Sequence, residues 1–372
     1  NGRPTDPAGY AGFSYGAAEV KSYATAQVRV HYATTGVHSP DMATTRPDSV
    51  PDTVALAADI GEGALTKYAA MGFKKIPSDA TCASNGGDDK IDIYLVHFTG
   101  ADGSTAPECP GSGDCSSFAL VEASFEGKGY KDAQEGFKTV VTHELFHAVQ
   151  NVYHPKPDPF WAEGTAQWAM KTVHPELQDF ERQLPAFFSD TTRSLDAAPS
   201  GVTAGFLYGS AVWPLFLATK FGAETIREIF EAEAAGNKDA LPATDEVLQK
   251  KGSSLASAYP LFAAWNAGTG NAQKSAGGYP DAAKYPGIKI GKLEDGVKAT
   301  TSGLSYYAYK GTLAEAQQIA FDGDATRVGG VVVPIEGGVA QLDKAKPLPA
   351  NAEAGDVLVV LAGTTTKKTD AP

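Results

Sequence analysis

The spacing of apolar and polar residues changes period along the chain, and each period predicts a different kind of element. From Ala26 to Tyr32 the run AQVRVHY alternates, which predicts a half-buried strand. Val54, Leu56, Ala57, Ile60, Ala64, Leu65 and Tyr68 recur at helical spacing and predict a helix ending near Gly72. The turn-forming SNGGDDK leads into IDIYLVHF, and SSFALVEASF follows later; both runs predict strands. From about Ala133 the period becomes helical again. Phe137, Val140, Val141, Leu145, Ala148, Val149 and Val152 predict one long helix ending near Tyr153.

Pro155, Pro157 and Pro159 bias their predecessors away from helix, so the next connection is extended. Asp158 before Pro159 is an N-cap and N1 pair for a second helix reaching about Val173. Further helices are expected at 177–188, 205–220, 223–235 and 253–266, with Pro214 kinking or interrupting the second of these. After Gly268 the short runs SYYAY, QIAF, GGVVVPI and DVLVVLAG, separated by Gly, Asp and Asn, predict a small all-β, sandwich-like domain. The expected organisation is an irregular N-terminal arm at 1–25, a mixed α and β domain at 26–270, and a C-terminal β domain at 285–372.

Charge narrows the function classes. With 31 basic and 44 acidic side chains the net charge is −13, which argues against a general nucleic-acid binder. The most apolar run, Ala211 to Ala218, is too short for a membrane span and contains Pro214. No charged segment followed by an apolar one opens the chain, so a signal peptide has been removed or none existed. Cys109 and Cys115 flank CPGSGDC, a segment able to close as a disulfide loop, with Cys82 as an alternative partner.

The chemistry is concentrated in VVTHELFHAVQ. His143 and His147 stand four apart on a predicted helix, so both imidazoles point the same way and two ring nitrogens can reach one Zn²⁺. Glu144 can approach a water at that metal without ligating it. By ordinary residue frequencies His-Glu-x-x-His arises by chance in about one chain in a hundred of this length. Its setting in an apolar helix adds weight, because two histidines and a glutamate there are costly unless they are used.

A catalytic zinc takes three protein ligands and keeps one position open. The third candidate is Glu163 in FWAEGTAQW, early in the second helix, with fifteen residues between it and His147. His154 and His174 are rivals, the first too close to the first helix to reach back easily, the second at the far end of the second helix. Together, residues 143–147 and EGTAQW resemble the gluzincin zinc peptidases, in particular the peptidase-MA-like group. VRVHYATTG, VPDTVALAADIGEGALTKYAAMGF, GGDDKIDIYLV and YGSAVWPLFLATKFG are similar to a family of candidate secreted bacterial metalloproteases, over about 26–235.

The resemblance implies an α+β zincin-like catalytic fold: a twisted sheet above an active-site helix, with a helical lower half. It implies one Zn²⁺ per chain on His143, His147 and Glu163, a protein or peptide substrate, and secretion. Two departures stand out: the spacing to Glu163 is shorter than in thermolysin-like enzymes, and Gln167 replaces their acidic residue one turn beyond the ligand. The chemistry of zinc then gives Glu144 the role of general base. An oxyanion donor is also expected, with Tyr208 in FLYGSAVW as first candidate and Tyr153, His154 and His174 as competitors.

Asn85, Asp88, Asp89 and Asp92 are an acidic group with the composition for Ca²⁺ but not EF-hand spacing. His31, His38 and His97 are expected to be structural or exposed. The reading is therefore a zinc-dependent, monomeric endopeptidase. The competing readings are a zinc hydrolase that acts on something other than protein or trims peptides as an exopeptidase, and a catalytically silent zincin-like surface-binding protein, against which the intact Glu144 speaks.

Overall fold

A computed structural model describes residues 2–80, 82, 84–108 and 116–366. Cys109 and Cys115 lie outside these residues, and Cys82 is half-buried with its Sγ 4.0 Å from Ser116 Oγ. The chain is a mixed α and β protein with several sheets, folded as two compact units. The first comprises 1–157, 166–177 and 233–237; the second comprises 158–165, 178–232 and 238–372.

In the first unit β1 (Val20–Ala24), β2 (Val28–Ala33), β3 (Ile91–Val96), β4 (Gly103–Pro107) and β5 (Ser117–Glu122) form one sheet in the order β1-β2-β3-β5-β4. The central pairs β2–β3 and β3–β5 are parallel, and the outer strands β1 and β4 run antiparallel to their neighbours. Parallel strands are buried on both faces, which explains the near-continuous apolar runs IDIYLV and SFALVE. One face carries α1 (Asp52–Ala70) and α2 (Ala133–Tyr153). Gly61 lets α1 approach closely, since a Cβ there would lie 3.3–3.4 Å from Ile93, Val28 and Leu145.

The N-terminal arm covers the other face. Tyr15 and the half-buried Tyr10 and Phe13 pack against Tyr94, Val96, Phe98, Phe118 and Leu120. The expectation of an irregular arm is corrected at one point, Val20–Ala24, which is an outer strand; nearer the start, Arg3 is fully buried. The sequence hid β1 because VKSYA is mostly exposed and does not alternate; the strand exists through antiparallel pairing with β2.

Arg3 is needed because β3 places Asp92 on the arm-facing side, two residues from Tyr94. Its guanidinium pairs with Asp79 at 2.8 Å and with Glu108, lies 3.7 Å from Asp92, and sits 4.1 Å from the Phe118 ring centre. His31 Nε2 closes on the other oxygen of Asp92 at 2.8 Å, its ring stacked on Tyr94. One guanidinium thus serves three buried carboxylates. Burial, reinforced by Asp92 and Glu108 and only partly offset by Arg3, pushes Asp79 up to about 7.

The second unit holds α4 (Asp179–Phe188), α5 (Gly205–Gly209), α6 (Val212–Phe221), most of α7 (Thr225–Gly236), α8 (Ala240–Lys250) and α9 (Leu255–Ala267). The break between α5 and α6 falls at Ser210 and Ala211, where the Pro214 ring would meet the carbonyl four residues back. The helical run 201–221 is long and apolar enough to cross a membrane by length and composition, but half of it is buried. Trp213, Phe216, Tyr259, Phe262 and Trp265 form an aromatic core there, so no clear membrane span is present among the described residues.

The same unit contains β6 (Lys274–Ala276), β7 (Ile290–Lys292), β8 (Tyr306–Leu313), β9 (Gln317–Ile319), β10 (Val328–Glu336), β11 (Val339–Gln341), β12 (Lys346–Pro347), β13 (Ala350–Ala352) and β14 (Gly355–Gly363). Seven of them make one sheet centred on β10-β14-β8, against which α9 packs. β13 and β9 pair as a separate ribbon, and Leu313, Val332, Ala352, Val357 and Val359 form a small core with Ile319.

Two measurements test the buried arm. Arg3→Met strands three buried carboxylates and should lower stability in urea unfolding at neutral pH by about 3–5 kcal/mol; a loss under 1 would reduce the arm to decoration. Asp79, raised from 3.8, contributes stability that is complete below that value and lost as pH rises through about 7. Melting temperature should therefore fall more between pH 5 and pH 8 in the wild type than in Asp79→Asn, and parallel curves would contradict the assignment.

Candidate metal centre

The candidate centre starts from helix α2, whose N-terminus is closed by side chains on both sides. Asp132 accepts from the Glu135 amide and Glu135 accepts from the Lys131 amide, each at 2.8 Å. Phe137, Val141, Leu145, Phe146 and Ala148 are wholly buried, so the polar residues between them are carried into the interior. His143 and Glu144 are each only 7% exposed. Tyr68 donates to the Thr142 carbonyl at 2.7 Å, tying α1 to the helix at the motif.

The two imidazoles converge as the four-residue spacing requires. His143 Nε2 and His147 Nε2 lie 3.0 Å apart, with the rings edge-to-face. The opposite nitrogens face amide oxygens: His143 Nδ1 lies 3.2 Å from Gln167 Oε1, and His147 Nδ1 lies 2.8 Å from Gln150 Oε1. With an oxygen facing each Nδ1, the tautomer protonated at Nδ1 satisfies both contacts and would present a lone pair at each Nε2. In that tautomer a cation shared by the two Nε2 atoms would be held by both lone pairs. The separation is close to the roughly 3.3 Å between ligands of a tetrahedral zinc with bonds of 2.0–2.1 Å.

Helix α3 (Pro159–Val173) supplies the third group. Gln167 lies against His143, and Glu163 is one turn earlier on the same face of α3. Ligand atoms of His143, His147 and Glu163 all lie within 4.8 Å of one another, and this is the one group of that kind among the described residues. Gly164, next in the chain, is required for space: a Cβ there would lie 2.8 Å from Ser210 Oγ. The Ser210 hydroxyl in turn lies 2.6 Å from the Leu207 carbonyl and 2.9 Å from the Phe160 carbonyl, its one proton facing both.

The rival ligands are placed elsewhere. His174 Nε2 meets Thr142 Oγ1 at 3.2 Å and its Nδ1 faces Glu176 at 3.7 Å; burial lowers its pKa, with Glu176 opposing. His154 ends α2 as its C-cap. The four residues considered for Ca²⁺ do not converge. Asp92 turns to His31, Asp88 pairs with Arg29 and Lys90, Asn85 accepts from the Gly87 amide, and Asp89 is exposed. Tyr208 is a half-buried residue of α5 in the second unit, and the Tyr153 hydroxyl accepts from the Lys74 amide at 2.7 Å.

Glu144 lies beside the outer strand β4. Thr105 Oγ1 is 2.7 Å from Glu144 Oε2 and 2.8 Å from the Glu144 carbonyl oxygen. Sequence reasoning missed Thr105 and Gln150, and read Gln167 only as a departure from a family pattern. Gln150 stood in view, three residues after His147 on the same helix face; Thr105 carried no signal because a tertiary contact brings it in. The chain matches no family model and no curated protein.

The purified protein should hold about one zinc per chain by elemental mass spectrometry, and His147→Ala should lose it. Gln167→Leu should weaken zinc binding about 10–100-fold in a chelator competition. Zinc retained by His147→Ala would place the metal elsewhere.

Proposed function

We propose that this chain is a zinc-dependent peptidase of the gluzincin type, with His143, His147 and Glu163 as metal ligands and Glu144 as general base. The observation that carries the reading is the convergence of three ligand groups beside a buried, hydrogen-bonded glutamate that is not one of them. The donor set of two neutral imidazoles and one carboxylate suits zinc at a catalytic site. When bound, zinc supplies a Lewis acid that polarises a carbonyl and makes water acidic enough to attack near neutral pH.

The protein's own groups do the rest. Gln150 and Gln167 hold the two histidine rings in the tautomer that presents Nε2. The Glu144 carboxylate takes the proton of the attacking water and returns it to the departing amine. Its low exposure keeps competing water away. β4 is the outer strand of its sheet and runs beside Glu144, so its edge offers backbone groups to an extended peptide. That supports a protein or peptide substrate and internal cleavage. Tyr208 is the donor proposed for the developing oxyanion. Export from the cell, a zincin-like arrangement of sheet over helix and a monomeric state complete the proposal.

Glu144→Gln should keep its zinc and lose about 10²–10⁴-fold in kcat on an unstructured protein such as casein. Full activity in that variant would sink the reading. Tyr208→Phe should lower kcat about 10²-fold with zinc unchanged, and a smaller effect assigns the tyrosine to packing.

A further inference from the structure

Strand β4 faces α2 with residues 103 and 105, which point the same way because successive side chains alternate. At the first of these, a Cβ on Gly103 would lie 2.6 Å from Glu144 Oε1, 2.7 Å from its Cγ and 2.7 Å from Val140 Cγ1. Gly103 does not adopt a positive φ, so space and not backbone conformation is the reason for glycine. The Glu144 side chain therefore lies in van der Waals contact with the strand backbone. Two residues on, Thr105 Oγ1 reaches the carboxylate at 2.7 Å. Its single proton also faces the Glu144 carbonyl oxygen at 2.8 Å, so the hydroxyl sits between the backbone and the side chain of the same residue.

The strand itself is fixed at both ends of this contact. Gly103 pairs with Val121 and Thr105 with Ala119 in the antiparallel ladder to β5. Immediately beyond β4, the Glu108 amide donates to the Ser116 carbonyl at 2.9 Å, and its carboxylate is held by the buried Arg3. One oxygen of the Glu144 carboxylate is thus tied to the sheet. A glutamate side chain has three rotatable bonds, and Glu144 as a residue is only 7% exposed, so its orientation depends on the protein groups around it.

We propose that Thr105 is a positioning residue for Glu144: its hydroxyl, on a strand that Gly103 allows against the carboxylate, holds the base in its working orientation. The proposal rests on the reading of Glu144 as general base. Thr105→Val keeps the shape and removes the donor, whereas Thr105→Ser keeps the donor. Thr105→Val should lower kcat on casein about 10–100-fold, with KM within about twofold and zinc content at the wild-type level, and Thr105→Ser should recover most of the loss. In a crystal structure of Thr105→Val the carboxylate should have rotated away from β4.

If Thr105→Val does not fold, Gly103→Ala tests the same point by pushing a methyl group against Oε1, with the same expected loss and rotation. An unchanged kcat in an active enzyme, or a carboxylate that keeps its place without the hydroxyl, would overturn the proposal. If the wild type cleaves no peptide, the reading of Glu144 as base fails, and the crystallographic position of its carboxylate still decides whether Thr105 orients it.

Discussion

Helix α2 is buried along almost its whole length, yet it carries a row of polar side chains through the interior. A buried polar atom without a partner costs about 1–3 kcal/mol, so the row constrains whatever surrounds it. Tyr68 of α1 donates to the Thr142 carbonyl, Gln167 of α3 meets His143, Thr105 of β4 meets Glu144, and Ser117 of β5 accepts from Asn151. Each contact answers one polar group of α2, and each comes from a different element. The sheet, α1 and the far half of α3 are held in register with the motif by the same contacts that would make it reactive.

The second constraint lies on the opposite face of the same sheet. There the arm supplies aromatic cover, but Asp92 on β3 and the neighbouring Asp79 and Glu108 need a cation. Arg3 provides it from the beginning of the described chain. Three carboxylates around one guanidinium leave an excess of negative charge out of water, which is why burial wins over ion pairing at Asp79. Through Glu108 this cluster borders the strand that lies beside Glu144, so the two faces of the sheet are linked covalently through β4.

Much of the local structure was legible in the chain. The apolar periods located α1, α2, β3 and β5 to within a few residues, and Asp158-Pro159 marked the start of α3. The interruption in the 205–220 helix was legible from Pro214 alone. Helix α8 was not: Pro242 in its first turn disguises a helix whose Ala240, Leu241, Ala243, Thr244, Val247 and Leu248 are buried together. Nor was β1, whose exposed side chains carry no period for the eye to find.

The sequence by itself determined the pairing of His143 with His147, because four residues make one helical turn whatever the helix packs against. It also determined that Glu163 heads a second helix, because prolines and a capping aspartate dictate where that helix begins. Tertiary structure alone decided that Glu163 joins the histidines while His154 and His174 do not, since the orientation of α3 depends on side-chain packing and on the room left by Gly164. Tertiary structure also decided the partners of the site: Thr105 lies 39 residues from Glu144 and Gln167 lies 24 from His143. Contacts of that separation follow from how sheet and helices stack, and no local period encodes them.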